Sequence, residues 1–385
     1  MSEQSFFTEM KTIEESLLNF IESEDKAKEN YQHLIKLFND QKIQENEHKL
    51  NAMLHLISKI CNHHRCPNFY DKIHQILQFF KPHILNNFTN LEIFRIFIDN
   101  KLLLLYLFEE KYIVMDDRIA SEFRKSYFFS TDYHNFFQPE LLPFLKTQEH
   151  SIYDHRDSKI NLKEFMVSFE NDEEKSEFYK NRRIGENNDK ICELIRNDSL
   201  DDFIIYINKL NISPSSYIKN SIFETNSFLL HQEEEDESVT FIEYAAFFGA
   251  IQIVKYLIAN NVNSNRLLLF AIHSNNYELI QMLETDSTDY KEIFDMAIQC
   301  HHNEVANYIK TNHLENDGEI DDDSFKNCLK NYNFSFIQPK KIDIKYLEAL
   351  CLYDYSYVLD IILKTNNIDV NDMIVLKFYN FSILF

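Results

Sequence analysis

The stretch Phe241-Ile-Glu-Tyr-Ala-Ala-Phe-Phe-Gly249-Ala-Ile-Gln-Ile-Val-Lys-Tyr-Leu257-Ile258 decides the fold. It reads as two helices joined by a tight turn. The first carries a small-residue face, Ala245 and Ala246, which lets a neighbouring helix approach closely. Gly249 supplies the positive φ that ends it. The second places Ile251, Val254, Leu257 and Ile258 on one side at helical spacing. The pattern recurs. Ala271 follows Ala245 by 26 residues, with Asn275 at the Gly249 position and Leu279, Ile280 and Leu283 behind it. Ala297 follows after a further 26, with Val305, Ala306 and Ile309, and Ala349 follows 52 later, with Tyr357, Val358, Ile361 and Ile362. Worn copies are expected at 328–337 and, upstream, at 194–206, where Leu200, Phe203 and Ile204 form the second helix.

Further upstream the chain remains helical in pattern. Residues 8–40 read as one or two helices with acidic surfaces. Leu50, Met53, Leu54, Ile57, Ile60 and Cys61 make one stripe that ends at Cys66-Pro67. Ile73, Ile76, Leu77 and Phe80 make a second, closed by Pro82. Ile93, Phe94, Phe97 and Ile98 make a third, and 102–108 a fourth. Such short helices on short links suit antiparallel packing. Residues 128–160, with Pro139 and Pro143, read as a loop with short helical turns. The acidic run 233–237 reads as an exposed insertion. The tail 373–385 is apolar where a repeat array ordinarily ends in a polar cap, so it reads as a truncated repeat or as a segment folding back on the last helix pair.

Composition narrows the function classes. The 385 residues include 34 Phe and 21 Tyr but no Trp, 3 Gly and 6 Pro, a bias that AT-rich codon usage accounts for. So few Gly argue against a large β protein, whose turns need them. The net charge of −23 disfavours nucleic acid and anionic membranes as partners. Arg182-Arg183 and Lys340-Lys341 are basic pairs and not patches. The longest apolar run, 102–108, is far short of the ~20 residues of a membrane span. Six scattered Cys behind a polar N-terminus predict free thiols and a cytoplasmic location.

The quoted stretch resembles ankyrin repeats. Ile242-Glu-Tyr-Ala-Ala-Phe-Phe-Gly249 sits where that family has its Leu-His-x-Ala-Ala-x-x-Gly core, Ile253-Val-Lys-Tyr-Leu257 matches its second helix, and Asn366-Asn-Ile-Asp-Val-Asn371 looks like a lead into a further repeat. The family period is about 33, against 26 here, and the Thr-Pro turn is missing, so the β-turn fingers should be short or lost. Together with Ile184-Gly-Glu-Asn-Asn-Asp189, Leu194-Ile-Arg-Asn-Asp198 and Ser221-Ile-Phe-Glu-Thr-Asn226, the stretch resembles a group of short ankyrin-repeat proteins expanded in AT-rich protist genomes, which carry a helical N-terminal domain of unknown function. The similarity spans roughly 45–315 and is most specific over 184–284. It implies a fold and a repeat class, and no biochemical activity.

No phosphate loop, nucleophile elbow or His-Glu-x-x-His is present. Cys61-Asn-His63-His64-Arg-Cys66 offers four zinc-type ligands in six residues, but zinc sites draw on separated pairs, and Cys61 completes an apolar stripe; core packing is the expectation, with no metal and no cofactor. Cys300-His301-His302 sits at a helix end, where His is an ordinary cap. The positions before each turn face the groove of an ankyrin-like stack: Phe247 and Phe248, His273 and Ser274, Gln299 and Cys300, then Cys351 and Leu352. Phe248 is expected to pack on the preceding unit, whereas Phe247 could equally pack or anchor a partner.

The sequence thus predicts an all-α protein: a helical N-terminal domain over 1–183, degenerate ankyrin-like repeats over 184–372 and the tail 373–385. Its expected role is a protein-interaction scaffold or adaptor with an unidentified protein partner, and not an enzyme. The alternatives are a Cys-dependent hydrolase in the divergent 128–180 region and a family member without a specific individual function.

Overall fold

The computed structural model describes residues 3–66, 68–125, 131–145, 152–153, 159–160, 169, 171–230, 238–285, 288–314 and 320–365. The regular structure of the described residues is helical apart from one antiparallel pair, β1 (Ile152–Tyr153) with β2 (Lys159–Ile160), and an isolated antiparallel bridge between Tyr217 and Thr240. The helices of the N-terminal half are α1 (Glu3–Glu22), α2 (Ala27–Asp40), α3 (Glu47–His63), α4 (Phe69–Asn87), α5 (Asn90–Phe97), α6 (Lys101–Glu109), α7 (Asp117–Lys125), α8 (Thr131–Phe136), α9 (Gln138–Leu145) and α10 (Asp172–Ile184). Those that follow are α11 (Lys190–Arg196), α12 (Leu200–Leu210), α13 (Ser227–Leu230), α14 (Phe241–Phe247), α15 (Ile251–Ala259), α16 (Leu267–His273), α17 (Tyr277–Leu283), α18 (Tyr290–Gln299), α19 (Asn303–Asn312), α20 (Asp322–Lys330), α21 (Leu347–Leu352) and α22 (Ser356–Thr365). Among the described residues no helix is long and apolar enough to cross a membrane. The acidic run 233–237, the segment 366–371 and the tail 373–385 lie outside the described residues.

The chain forms two compact units, Met1–Leu56 with Glu315–Phe385, and Ile57–Leu314. The segment boundary drawn at 183/184 therefore falls inside the second unit. In the first unit, α1 packs on α2 and α21 on α20 and α22. Phe6, Phe7, Met10 and Ile13 are buried on α1, and Phe6 and Phe7 lie 6.5 and 6.3 Å from the Phe334 ring. Glu14, fully buried, accepts hydrogen bonds from the Ser335 backbone N–H at 2.8 Å and its hydroxyl at 3.1 Å. The Asp354 carboxylate receives the Asn51 side chain at 2.9 Å.

In the second unit, α5 packs on α6 and α7, and α9 on α7 and α8, with α10 against α6. The buried Arg182 of α10 is paired to Glu140 at 2.8 Å and lies 5.2 Å over the Phe136 ring. Pro82 does not end its helix, contrary to the stripe read from sequence. Helix α4 continues through it to Asn87. Pro82 lies on the solvent side, where water can meet the carbonyl that loses its N–H donor.

Between Lys190 and Asn312, α13 apart, the helices come as four pairs. The first members form a row, α11–α14–α16–α18, and each packs on the helix that follows it. Ala245, Ala271 and Ala297 are all at 0% exposure in that row. The turn between partners repeats one device. Asp198, Gly249, Asn275 and His301 all have φ between +47 and +70°. At three of the four the next residue's N–H bonds a carbonyl five residues back, Ser199 to Leu194, Ala250 to Ala245 and His302 to Ala297, at 2.8–3.0 Å, as a helix C-cap with a left-handed residue requires; after Asn275 the Asn276 N–H donates to the Ser274 hydroxyl at 3.3 Å instead. The first unit uses the same device at Tyr332 and Asp354. Helix α14 also starts with a capping box, the Glu243 carboxylate accepting from the Thr240 N–H at 2.9 Å.

Candidate functional site

The inner face of the row is filled by the chain itself. Residues 61–65, at and beyond the end of α3, and Phe228 of α13 lie against it. His64 Nδ1 is 3.0 Å from the Cys300 carbonyl oxygen, and the Gln299 amide is 3.0 Å from His63 Nε2. The Phe228 ring lies 4.2 Å from His273 and stacks parallel to Phe247 at 6.0 Å. Of the six residues expected to face a partner, Phe247, His273 and Cys300 have 0% exposure. Phe248, Ser274 and Gln299 are half-buried. They do converge on one face, as their spacing predicts, but in the second unit that face is an interior. Phe248 is spanned by cations, the Arg65 guanidinium 4.3 Å and the Arg196 guanidinium 5.9 Å from its ring centre. Cys351 and Leu352, the positions of the last pair, are half-buried and exposed in the first unit.

The cysteines that open the two Cys/His motifs, Cys61 and Cys300, are buried. Cys61 is buried, and its carbonyl accepts a hydrogen bond from the Asn100 amide at 2.8 Å. Burial pushes the Cys61, Cys192 and Cys300 thiols up, Cys192 to about 12. Burial likewise lowers His273, to about 3, and His302. A thiol that resists ionisation beside an imidazole that resists protonation is the reverse of an activated Cys–His pair. Much of 128–180, where a hydrolase was the alternative, lies outside the described residues.

Two features of the second unit remain open to solvent. The first is a cleft of about 280 Å³ lined by Cys61, Arg65, Cys66, Tyr70, Gly185 and Glu224 among others. Its construction is specific. Asn100 caps α6 and holds the Tyr70 hydroxyl at 3.4 Å. Gly185, left-handed at φ +70°, ends α10 where a Cβ would come 2.8 Å from a Leu102 methyl. Thr225 donates its hydroxyl to the Gly185 carbonyl at 2.7 Å. Glu224 accepts backbone N–H bonds from Thr225 and Asn226, both at 3.0 Å, and from Asn187 at 3.3 Å. Burial raises its pKa against the pull of those amides and of Arg65. At the rim Glu186 bridges Arg65 at 3.4 Å and Arg196 at 2.9 Å. Nothing in the sequence flags this convergence, since Arg65 and Glu186 are separated by 121 residues. Arg65 and Glu224 were legible only as members of the quoted motifs 61–66 and 221–226.

The second feature is the outer row. Helices α12, α15, α17 and α19 expose Ile205 (63%), Ile258 (42%), Tyr277 (45%), Met282 (37%) and Tyr308 (41%). The helices are neighbours: α12 packs on α15, Lys255 of α15 pairs with Glu278 of α17 at 2.8 Å, and Tyr277 donates to Glu304 of α19 at 3.2 Å. Ile258, expected on the apolar stripe of its helix, is 42% exposed. It follows the buried Leu257 and falls beyond the edge of the apolar stripe. Comparison of the chain with protein-family models, with curated proteins and with solved structures finds no match.

Proposed function

We propose that the protein is a protein-interaction scaffold built on degenerate ankyrin-like helix pairs, and that its partner docks on the outer row of helices. The observation that carries this reading is the set of large apolar side chains, Ile205, Ile258, Tyr277, Met282 and Tyr308, left in solvent on four neighbouring helices. Apolar side chains concentrated on adjacent elements of a monomer mark interaction sites more often than scattered ones do. The 26-residue spacing of Ala245, Ala271 and Ala297 and the repeated left-handed turns favour the repeat reading. The thiols held protonated by burial favour a binding role over Cys-dependent hydrolysis.

A photocrosslinking residue placed at Tyr277 in the full chain, in its native cell, tests it. One discrete protein adduct is expected from Tyr277 and none from the same residue placed at the exposed Asn86 of α4. Its loss on combining Ile258→Asp with Met282→Ser, at unchanged Tm, would assign the contact to the outer row. Equal adduct profiles from Tyr277 and Asn86 would sink the reading.

A further inference from the structure

We infer that the Glu224 cleft is a pocket for one cationic side chain, an arginine guanidinium or a lysine ammonium carried by a peptide segment of a protein partner. This pocket presupposes the protein-binding reading above and adds the chemistry of a second contact, away from the outer row.

The starting point is a carboxylate in an unusual position. Glu224 is 5% exposed, yet it lines both the cleft and a small chamber of about 30 Å³ on its other side. Three backbone N–H groups satisfy its oxygens, but among the described residues no cation lies within ion-pair distance of them. Arg65 acts on it only from beyond ion-pair distance, and a buried carboxylate without a directly paired cation is costly, a cost that a cation brought to it offsets.

The cations nearby are already engaged. Arg65, the cleft's own guanidinium, is paired to Glu186 and spread over the rings of Phe248 at 4.3 Å and Phe247 at 5.0 Å. The buried Lys101 ammonium donates at 2.9 Å to the backbone carbonyl of Glu224 and not to its carboxylate. Glu186 in the lining is taken up by Arg65 and Arg196, which leaves Asp71 and Glu224 as lining carboxylates that form no ion pair among the described residues. That balance selects a cation over a phosphate or carboxylate ligand. Tyr70 and Phe69, edge to face at 5.2 Å, give the walls an aromatic surface that suits an alkyl stem and its cationic head.

A cleft of about 280 Å³ has room for a single cationic side chain. The net charge of −23 raises the local concentration of basic segments around the whole molecule.

Titration of the full chain with three acetylated, amidated pentapeptides, carrying a central arginine, lysine or citrulline, tests the pocket. Citrulline keeps the shape of arginine without its charge. The arginine and lysine peptides are expected to bind and to shift the backbone amide resonances of Thr225 and Asn226, whereas the citrulline peptide does neither. Glu224→Gln, which keeps an acceptor oxygen, should weaken binding at least about tenfold. Asp71→Asn, on an exposed residue that cannot threaten the fold, should weaken it roughly two- to threefold. Citrulline binding as tightly as arginine, no binding at about 10 mM peptide, or affinity unchanged in both variants would each overturn the inference. A negative result with the Tyr277 adduct intact removes the pocket and leaves the scaffold reading standing. Loss of that adduct with peptide binding retained does the opposite.

Discussion

His273 Nδ1 lies 3.4 Å from Cys300 Sγ in a space closed to solvent, with both residues at 0% exposure. The pair has the composition of a catalytic dyad and the environment of a core. Desolvation works against both ionised forms, so the proton stays on sulfur. The consequence is measurable as reactivity. Of the six thiols, Cys61, Cys192, Cys300 and Cys328 are buried, and Cys66 and Cys351 are half-buried. Native protein at neutral pH should therefore react at no more than two thiols on the minute timescale, Cys66 and Cys351, and at all six once unfolded. Rapid alkylation of Cys300 in the native state would revive the hydrolase reading.

The same burial sets a pH dependence. His273 is held neutral down to about 3 by burial, with Arg65 adding to the effect against the His63 carbonyl that favours the proton. His302 is depressed by burial and by His64, His273 and His301. In the unfolded chain both protonate near 6.5. The unfolded state thus binds more protons below that value, and stability falls as pH drops from about 7 toward 3. Below about pH 6 the slope from His273 approaches about 1.4 kcal/mol per pH unit, and His302 acts in the same direction. Glu224 and Glu140, both raised by burial, act in the opposite sense at the acidic end. Denaturant midpoints measured between pH 8 and pH 5 should decline, and His273→Asn should flatten the decline. A midpoint independent of pH over that range would contradict the buried neutral pair.

Phe247 and Phe248 are adjacent in sequence but should differ sharply on truncation. Phe247 packs against Phe228, His273 and the Arg65 guanidinium, at 6.0, 4.8 and 5.0 Å, with no exposure. Phe247→Ala leaves a cavity in that interior and should cost about 3–5 kcal/mol. Phe248→Ala removes a half-buried ring and its contact with Arg65, and should cost roughly 1–2 kcal/mol. Chemical denaturation of the two variants separates them. Equal losses would mean that the inner face is open in solution.

How much of this was legible in the sequence depended on whether the cause was local. Ala245, Ala271 and Ala297 declare themselves because close helix packing needs small residues at fixed spacing, and the structure buries all three. Asn275 was readable as a substitute for Gly249, since both adopt the left-handed turn. His301, 26 residues further on, does the same at φ +56°, but its side chain gives no comparable signal, and it read as a capping residue. Long-range causes were invisible. That residues 61–65 would fill the face carrying Phe247 and His273 is decided by contacts more than 200 residues apart, such as His64 with Cys300. The same holds for Arg65 with Glu186 at the cleft. Pro82 misled because its local rule is overridden where the helix face meets water.

The turns supply the last prediction. Gly249 has φ +70°, and an added Cβ would meet Ser274 Cβ at 3.2 Å. Gly249→Ala therefore combines left-handed strain with a tight contact and should destabilise by about 1–2 kcal/mol. Asn275 holds φ +50° with a side chain that tolerates it, so Asn275→Gly should fall within about 0.5 kcal/mol of the parent. His301, at φ +56°, holds the same conformation with a larger, buried side chain. His301→Gly relieves backbone strain but gives up the packing of the ring, so the net effect reports which dominates. The three variants measured together by thermal unfolding form a series. If Gly249→Ala proves neutral, the left-handed turn is not what joins the helices of each pair, and the equivalence of positions 249, 275 and 301 fails with it.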